Sequence, residues 1–293
     1  MSPLQDEARV LGRLDADAWV VTSASLGNPD LPELLEAAVA AGCRGLSLWP
    51  LHDYRRAREA GHTAAEVRRM VADRGLVVHD VDALVRWVGE GDPGWPYLQE
   101  APEALVWEAA GELEVEFVNC ILVGERGVRD EALAAGFRSV CEQADRAGLR
   151  VTLEFMTISR VRDLARARRV VELAGCPNGS LMLDTWHLAN CDWPLAELAE
   201  LPPHLVGGIQ LSDRSSDPAR RHGMRDRLPP GEGVLELGDF HRLLDARGIR
   251  VPLTLEVFNS ALLEALGPSG AAQRHAEAAR RNLAESLRGK IGG

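Results

Sequence analysis

Cysteine is scarce in this chain: five residues, at positions 43, 120, 141, 176 and 191, with no CxxC pair among them. An odd number without paired spacing offers no disulfide framework. No apolar run reaches 18 residues, and the opening MSPLQDEARV has neither a basic start nor an apolar signal core. A cytoplasmic protein without a membrane span is therefore expected. Positive charge is also in deficit. Lys and Arg number 33 against 44 Asp and Glu, a formal net charge of −11. That balance argues against nucleic-acid binding, while a local basic loop can still hold an anion. No GxxxxGK[ST] phosphate cradle occurs, so no nucleotide-cofactor site is expected.

What the chain does have is apolar residues, 46% of 293, enough for a large core in one domain over residues 1–293. No linker or short internal repeat divides it. Apolar, β-favouring runs predict strands at 18–23, 43–49, 76–81, 114–119, 149–155, 180–184, 204–211 and 251–257. Between them the pattern predicts helices at 31–42, 62–75, 99–110, 129–147, 160–174, 194–200, 238–247 and 270–288. Residues 89–96, rich in Gly, Pro and Trp, read as a loop, and 50–62 as a loop or an extra short helix. Eight strand-helix units argue for a single (β/α)8 barrel over about 17–288 rather than a doubly wound sheet.

Four of the later strands finish on an oxygen-bearing side chain: Glu154 in VTLEFM, Asp184 in LMLDTWH, Gln210 in IQLSD and Glu256 in LTLEVF. A carboxylate closing an apolar strand is expensive if buried alone, so four such ends point to a shared cation. In a barrel they would meet at the C-terminal mouth, where active sites lie. Helix capping or salt bridging is the plainer reading for any one of them, but a poor one for all four. Oxygen-dominated ligands suit one Mn²⁺ or Mg²⁺, with Co²⁺ admitted in vitro and Zn²⁺ less expected while position 210 is Gln.

Around these ends stand further candidates. His187, three residues past Asp184, can contact substrate or shuttle a proton, or else hydrogen-bond a ligand carboxylate. His79, at the predicted end of the third strand, and His52 are weaker candidates, equally readable as structural. The loop 212–232 carries Arg214, Arg220, Arg221, Arg225 and Arg227 between two ligand-bearing strands, and Arg214 or Arg227 is expected to bind substrate. Trp49, Trp87, Trp95, Trp107, Trp186 and Trp193 fall in or near segments at the same end, with Trp49 and Trp186 as candidate walls and ordinary packing as the alternative.

Glu154, the string Asp184-Thr185-Trp186-His187, Gln210 within IQLSD, PPGEG at 229–233 and LEVFN at 255–259 together resemble the xylose isomerase-like barrel superfamily. The resemblance is strong over about 149–260 and general before that. It implies that Glu154, Asp184, Gln210 and Glu256 are metal ligands, and that His187 and Arg227 approach the substrate. Epimerases of that group usually have His where this chain has Gln210. The 3-dehydroshikimate dehydratases have Gln there and share RLPPGEG and LEVFN, yet LSLWPLHDYRRAREAG does not resemble their pocket segment. The endonuclease branch needs further histidines and a basic face, which this acidic chain with eight histidines does not offer.

The chemistry expected of such a site is enolisation. Glu154 and Glu256, from separate strands, would act on opposite faces of a planar intermediate derived from a small-molecule carbonyl or hydroxyketone, a sugar or cyclic polyol derivative. Proton return would make the protein an isomerase or epimerase, the favoured expectation. Loss of a β-hydroxyl would make it a dehydratase, and a noncatalytic barrel scaffold is the third reading. A homodimer is compatible with an intact barrel and not required by it.

Overall fold

The computed structural model describes residues 14–85, 87–88, 102–122 and 127–288. Eight strands, β1 (Trp19–Thr22), β2 (Gly45–Leu48), β3 (Val77–Leu84), β4 (Phe117–Cys120), β5 (Arg150–Glu154), β6 (Gly179–Asp184), β7 (Val206–Leu211) and β8 (Leu253–Leu255), follow one another in parallel around a closed barrel. Helices cover its outside, as the alternating pattern requires. They are α1 (Leu31–Ala40), α2 (Tyr54–Glu59), α3 (Ala64–Ala72), α4 (Glu103–Glu112), α5 (Asp130–Arg146), α6 (Leu164–Ala174), α7 (Thr185–Asn190), α8 (Leu195–Ala199), α9 (Leu237–Ala246) and α10 (Ser260–Arg288). The last is interrupted at Gly267, whose φ of 67° and following Pro268 break the helical path.

Local chemistry sets the starts of several helices. Asp30 and Asp163 accept the backbone N–H of Glu33 and Arg166, and Thr63 with Glu66 forms a reciprocal capping box ahead of α3. Each apolar helix face packs on the outer strand residues, in one continuous core that includes Leu34, Leu46, Val118, Phe137, Leu153, Val170 and Leu183. Close approach inside the barrel fixes Gly208 on β7, where an added Cβ would lie 2.7 Å from the Met182 methyl group.

The 50–62 stretch contains the short helix α2, one of its two expected readings. Two segments differ from the sequence expectation. Helix α7 was unexpected; Asp184 nucleates it by capping its first turn. Strand β3 continues to Leu84 instead of stopping near 81, carrying Asp80 and Asp82 inside the sheet. Aspartate is disfavoured in strands, so its appearance reads as an end; here hydrogen bonds from Ser47, Asn119 and Gln210 satisfy both carboxylates. The 89–96 loop and Trp95 lie outside the described residues.

Candidate metal centre

Glu154 is the last residue of β5, Asp184 the last of β6 and Gln210 the penultimate residue of β7, paired with Asp184 across the sheet. Glu256 follows β8, its N–H still bonded to Leu211 of β7. All four are buried at the C-terminal mouth, 1–5% exposed.

Asp184 divides its two oxygens. Oδ1 accepts the N–H groups of Trp186 (2.6 Å) and His187 (3.3 Å) at the start of α7, which leaves Oδ2 for the centre. The same cap carries His187 inward, Nε2 standing 3.3 Å from Glu154 Oε1 and 3.8 Å from Asp184 Oδ2. Ligating atoms of Glu154, Asp184 and His187 lie within 4.8 Å of one another, a cluster able to hold a metal ion.

Arg227 closes the opposite side. Its Nη1 donates to Asp184 Oδ2 and Glu256 Oε2, both at 2.8 Å, and to the Glu256 carbonyl at 3.2 Å. The guanidinium is buried between the Trp186 and Phe258 rings, 4.9 and 4.7 Å from their centroids. The loop is built to bring it there. Asp213 accepts the N–H groups of Gly231, Gly233, Leu235 and Arg214, folding PPGEG back on the strand end. At Gly231 φ is +86°, and a Cβ would strike Asn282. Asn259 binds the Arg227 carbonyl, and the Arg227 N–H binds the Phe258 carbonyl. PPGEG and LEVFN thus form one clamp on Arg227.

Burial drives the Glu154 carboxyl well above the ordinary range, and the Asp82 and Asp184 charges push the same way. Burial raises Glu256 as well, against the pull of Arg227. For Asp184 burial acts upward too, but Arg227, His187 and its hydrogen bonds outweigh it and hold it at about 2. Burial lowers His187 to about 4, so its imidazole is neutral. Asp82, Glu154, Asp184 and Glu256 therefore confront one buried guanidinium, and Gln210 Oε1 is buried without a hydrogen-bond partner among the described residues. A divalent cation fits both features: it offsets the surplus carboxylates and accepts the orphaned amide oxygen as a ligand.

The other expected residues are placed less centrally. Arg214 donates to the Ala189 carbonyl behind α7, and Arg220 pairs with Asp226. His79, because β3 runs on, packs at a tilt against Phe117 (5.2 Å between ring centroids). Arg150 lies over that same ring, and Phe117 and Arg150 open β4 and β5, at the N-terminal end of the barrel. His79 thus sits away from the strand ends that carry the carboxylates, a correction to its expected place at the mouth. Trp49 follows β2 with its ring against His52, while Trp186 is the tryptophan seen stacked at the centre. Trp87 binds the Ile121 carbonyl, Trp107 binds Glu103 and Trp193 packs on Phe240. Sequence reasoning missed Asp82 and Asn119. The alternation in HDVDAL was the available signal, since it puts Asp80 and Asp82 on one face of a continued strand.

A family model described as "Xylose isomerase-like TIM barrel" matches residues 35–288. The chain is 29% identical over 246 residues to the 3-dehydroshikimate dehydratase of Pseudomonas aeruginosa, covering 78% of this chain and 36% of that protein. It thus spans little more than a third of that relative's length. Over 204 residues it is 21% identical to the inosose isomerase of Halalkalibacterium halodurans, covering 67% and 72% of the two chains. Among solved structures, the IOLI protein with a binding zinc atom superposes with a TM-score of 0.80 at 16% identity, over 92% of this chain and 99% of that one. At that identity the likeness shows the fold alone.

Proposed function

The chain belongs to the xylose isomerase-like TIM barrel family, and from that premise we propose that it is a divalent-metal-dependent enzyme that enolises a small hydroxy carbonyl metabolite. The observation behind this reading is the convergence of Glu154, Asp184, Gln210 and Glu256 with His187 at the barrel mouth, where several buried carboxyl groups share one guanidinium. Glu154 and Asp184, which cluster with His187, would hold Mn²⁺ or Mg²⁺ together with Gln210 and Glu256. When bound, such an ion supplies Lewis acidity that stabilises negative charge developing on a carbonyl oxygen.

The chain's own groups then divide the proton work. Glu154, its Oε2 held by Asn119 at 2.7 Å, would in its ionised form take the proton from the carbon beside the carbonyl at Oε1. His187 Nε2, 3.3 Å from that oxygen, carries a proton between Glu154 and a substrate hydroxyl. Glu256 approaches from β8, with Arg227 fixing its Oε2, and returns a proton on another side of the intermediate. Arg227 and Trp186 form the wall against which the substrate is oriented.

Two outcomes follow from one intermediate. Expulsion of a β-hydroxyl makes a dehydratase, supported by Gln210 and by the likeness to the Pseudomonas dehydratase. Proton return makes an isomerase or epimerase, supported by the two glutamates on separate strands and by the likeness to the inosose isomerase. We place elimination first. Metal-stripped protein, reloaded with Mn²⁺ and offered cyclic hydroxy carbonyl compounds including 3-dehydroshikimate, separates them. Growth of conjugated ultraviolet absorbance is the expected result. Solvent deuterium entering the substrate without new absorbance would instead select isomerisation, and full turnover by demonstrably metal-free protein would contradict both.

A further inference from the structure

Asp82 lies inside β3, buried, and spends its carboxylate on two neutral amides. Oδ1 accepts from Asn119 Nδ2 at 3.0 Å, and Oδ2 accepts from Gln210 Nε2 at 3.1 Å. Each amide is committed in turn. The Asn119 carbonyl accepts the Thr152 hydroxyl at 2.8 Å, so its NH₂ group faces Asp82 and Glu154 Oε2. The Gln210 NH₂ group faces Asp82 and Glu256 Oε1, at 3.2 Å. Reversing either amide would set its oxygen against two carboxylates, so only one orientation satisfies the network. In that orientation Gln210 Oε1 is left buried without a partner among the described residues.

We propose that Asp82 is a positioning residue that holds the Gln210 amide with its oxygen, rather than its nitrogen, presented to the divalent ion, and steadies Glu154 through Asn119. The inference rests on the metal-centre reading above. A carboxylate is required because it accepts on both oxygens. Asparagine at 82 would accept from Asn119 at one end and donate at the other, so Gln210 would turn its oxygen toward residue 82 and offer the ion an N–H donor. An amide N–H cannot serve as a ligand, so the ion would gain a water in its place.

The test is a double-substitution cycle read by Mn²⁺ affinity, using calorimetry on the metal-stripped chain. Asp82→Asn is expected to weaken Mn²⁺ binding about 10- to 100-fold, the usual scale for a group that orients a ligand. In a Gln210→Ala background the same substitution should change affinity less than about 3-fold, because the amide it orients is gone. Water-proton relaxation should show one more exchangeable water on Mn²⁺ in Asp82→Asn than in the unsubstituted protein. An equal loss in both backgrounds, or an unchanged water count, would mean that Asp82 acts only through its charge and would overturn the proposal. Asp82→Ser, which cannot reach both amides, goes through the same cycle, so a folding failure of one replacement leaves the other to decide. Absence of saturable Mn²⁺ binding by the unsubstituted chain would overturn the metal-centre reading itself, and this inference with it.

Discussion

The buried carboxylates at the ends of β6 and β8 face a cation, whereas Asp80 and Asp82 of β3 and Asp53 after β2 accept their hydrogen bonds from hydroxyls and amides. Asp184 and Glu256 share the Arg227 guanidinium. On the other side of the barrel Asp53 accepts from the Ser23 hydroxyl and the Trp49 N–H, Asp80 from the Ser47 hydroxyl at 2.5 Å, and Asp82 from two amides. The consequence is a difference in how readily single carboxyls ionise. Burial, with the Asp82 charge adding to it, pushes the Asp80 carboxyl up to about 8, and burial pushes Asp53 up to about 6, while Asp184 is held at about 2. Asp184 keeps its charge for a ligand; Asp80 is held as a protonated internal hydrogen-bonding strut.

The sharpest way to break this contrast is at the proton-transfer residues. Glu154→Gln, and separately Glu256→Gln, should lower turnover by about 10²-fold or more while circular dichroism stays unchanged. An active variant would remove that glutamate from the chemistry. Next in size is Arg227→Met, which strips the guanidinium from Asp184 and Glu256. Breaking a buried pair from one side costs about 3–5 kcal/mol, so urea unfolding of metal-free protein should show a loss on that scale. Added Mn²⁺ should recover part of it, because a second cation would serve the same oxygens.

On the hydroxyl-and-amide side the effect should have the opposite sign. The Asp80 carboxyl is raised above its unfolded value, so the folded state binds the proton more tightly. Stability is then fullest below pH about 4 and falls as pH rises through about 8. Asp80→Asn keeps an acceptor for Ser47 and should remove that slope, making metal-free protein more stable at pH 8 by on the order of 1–3 kcal/mol. Denaturant melts across that range would show it, and destabilisation at every pH would contradict it. A smaller effect is expected at His275 on α10, whose ring is buried with neither nitrogen partnered among the described residues and lowered by burial to about 4. Its protonation in the unfolded chain removes stability as pH falls from about 6.5 through 4. His275→Leu should flatten that acid limb of the melting profile and change stability near pH 7 by less than about 1.5 kcal/mol.

The contrast also explains which features could be read from the sequence. Glu154, Asp184, Gln210 and Glu256 stand at the ends of apolar runs, where period and polarity break together, so both the barrel and these four residues were legible. Arg227 was legible as a candidate because PPGEG follows it, though its role as the bridge between Asp184 and Glu256 depends on Asp213 and Asn259 folding the loop back. Asp82 was harder to read. It lies inside a strand whose aspartates read as a terminus, and its partners Asn119 and Gln210 are 37 and 128 residues away along the chain. His79 was misplaced for the same reason, because a strand ended too early moves every residue in it toward the rim.

The most direct test of the central claim is calorimetric titration of metal-stripped protein with Mn²⁺, alongside Asp184→Ala. The account predicts saturable binding of one ion per chain, weakened by at least about 10²-fold in the variant, which removes both a ligand oxygen and the cap that carries His187 inward. No saturable binding, or equal affinity in the two proteins, would contradict it.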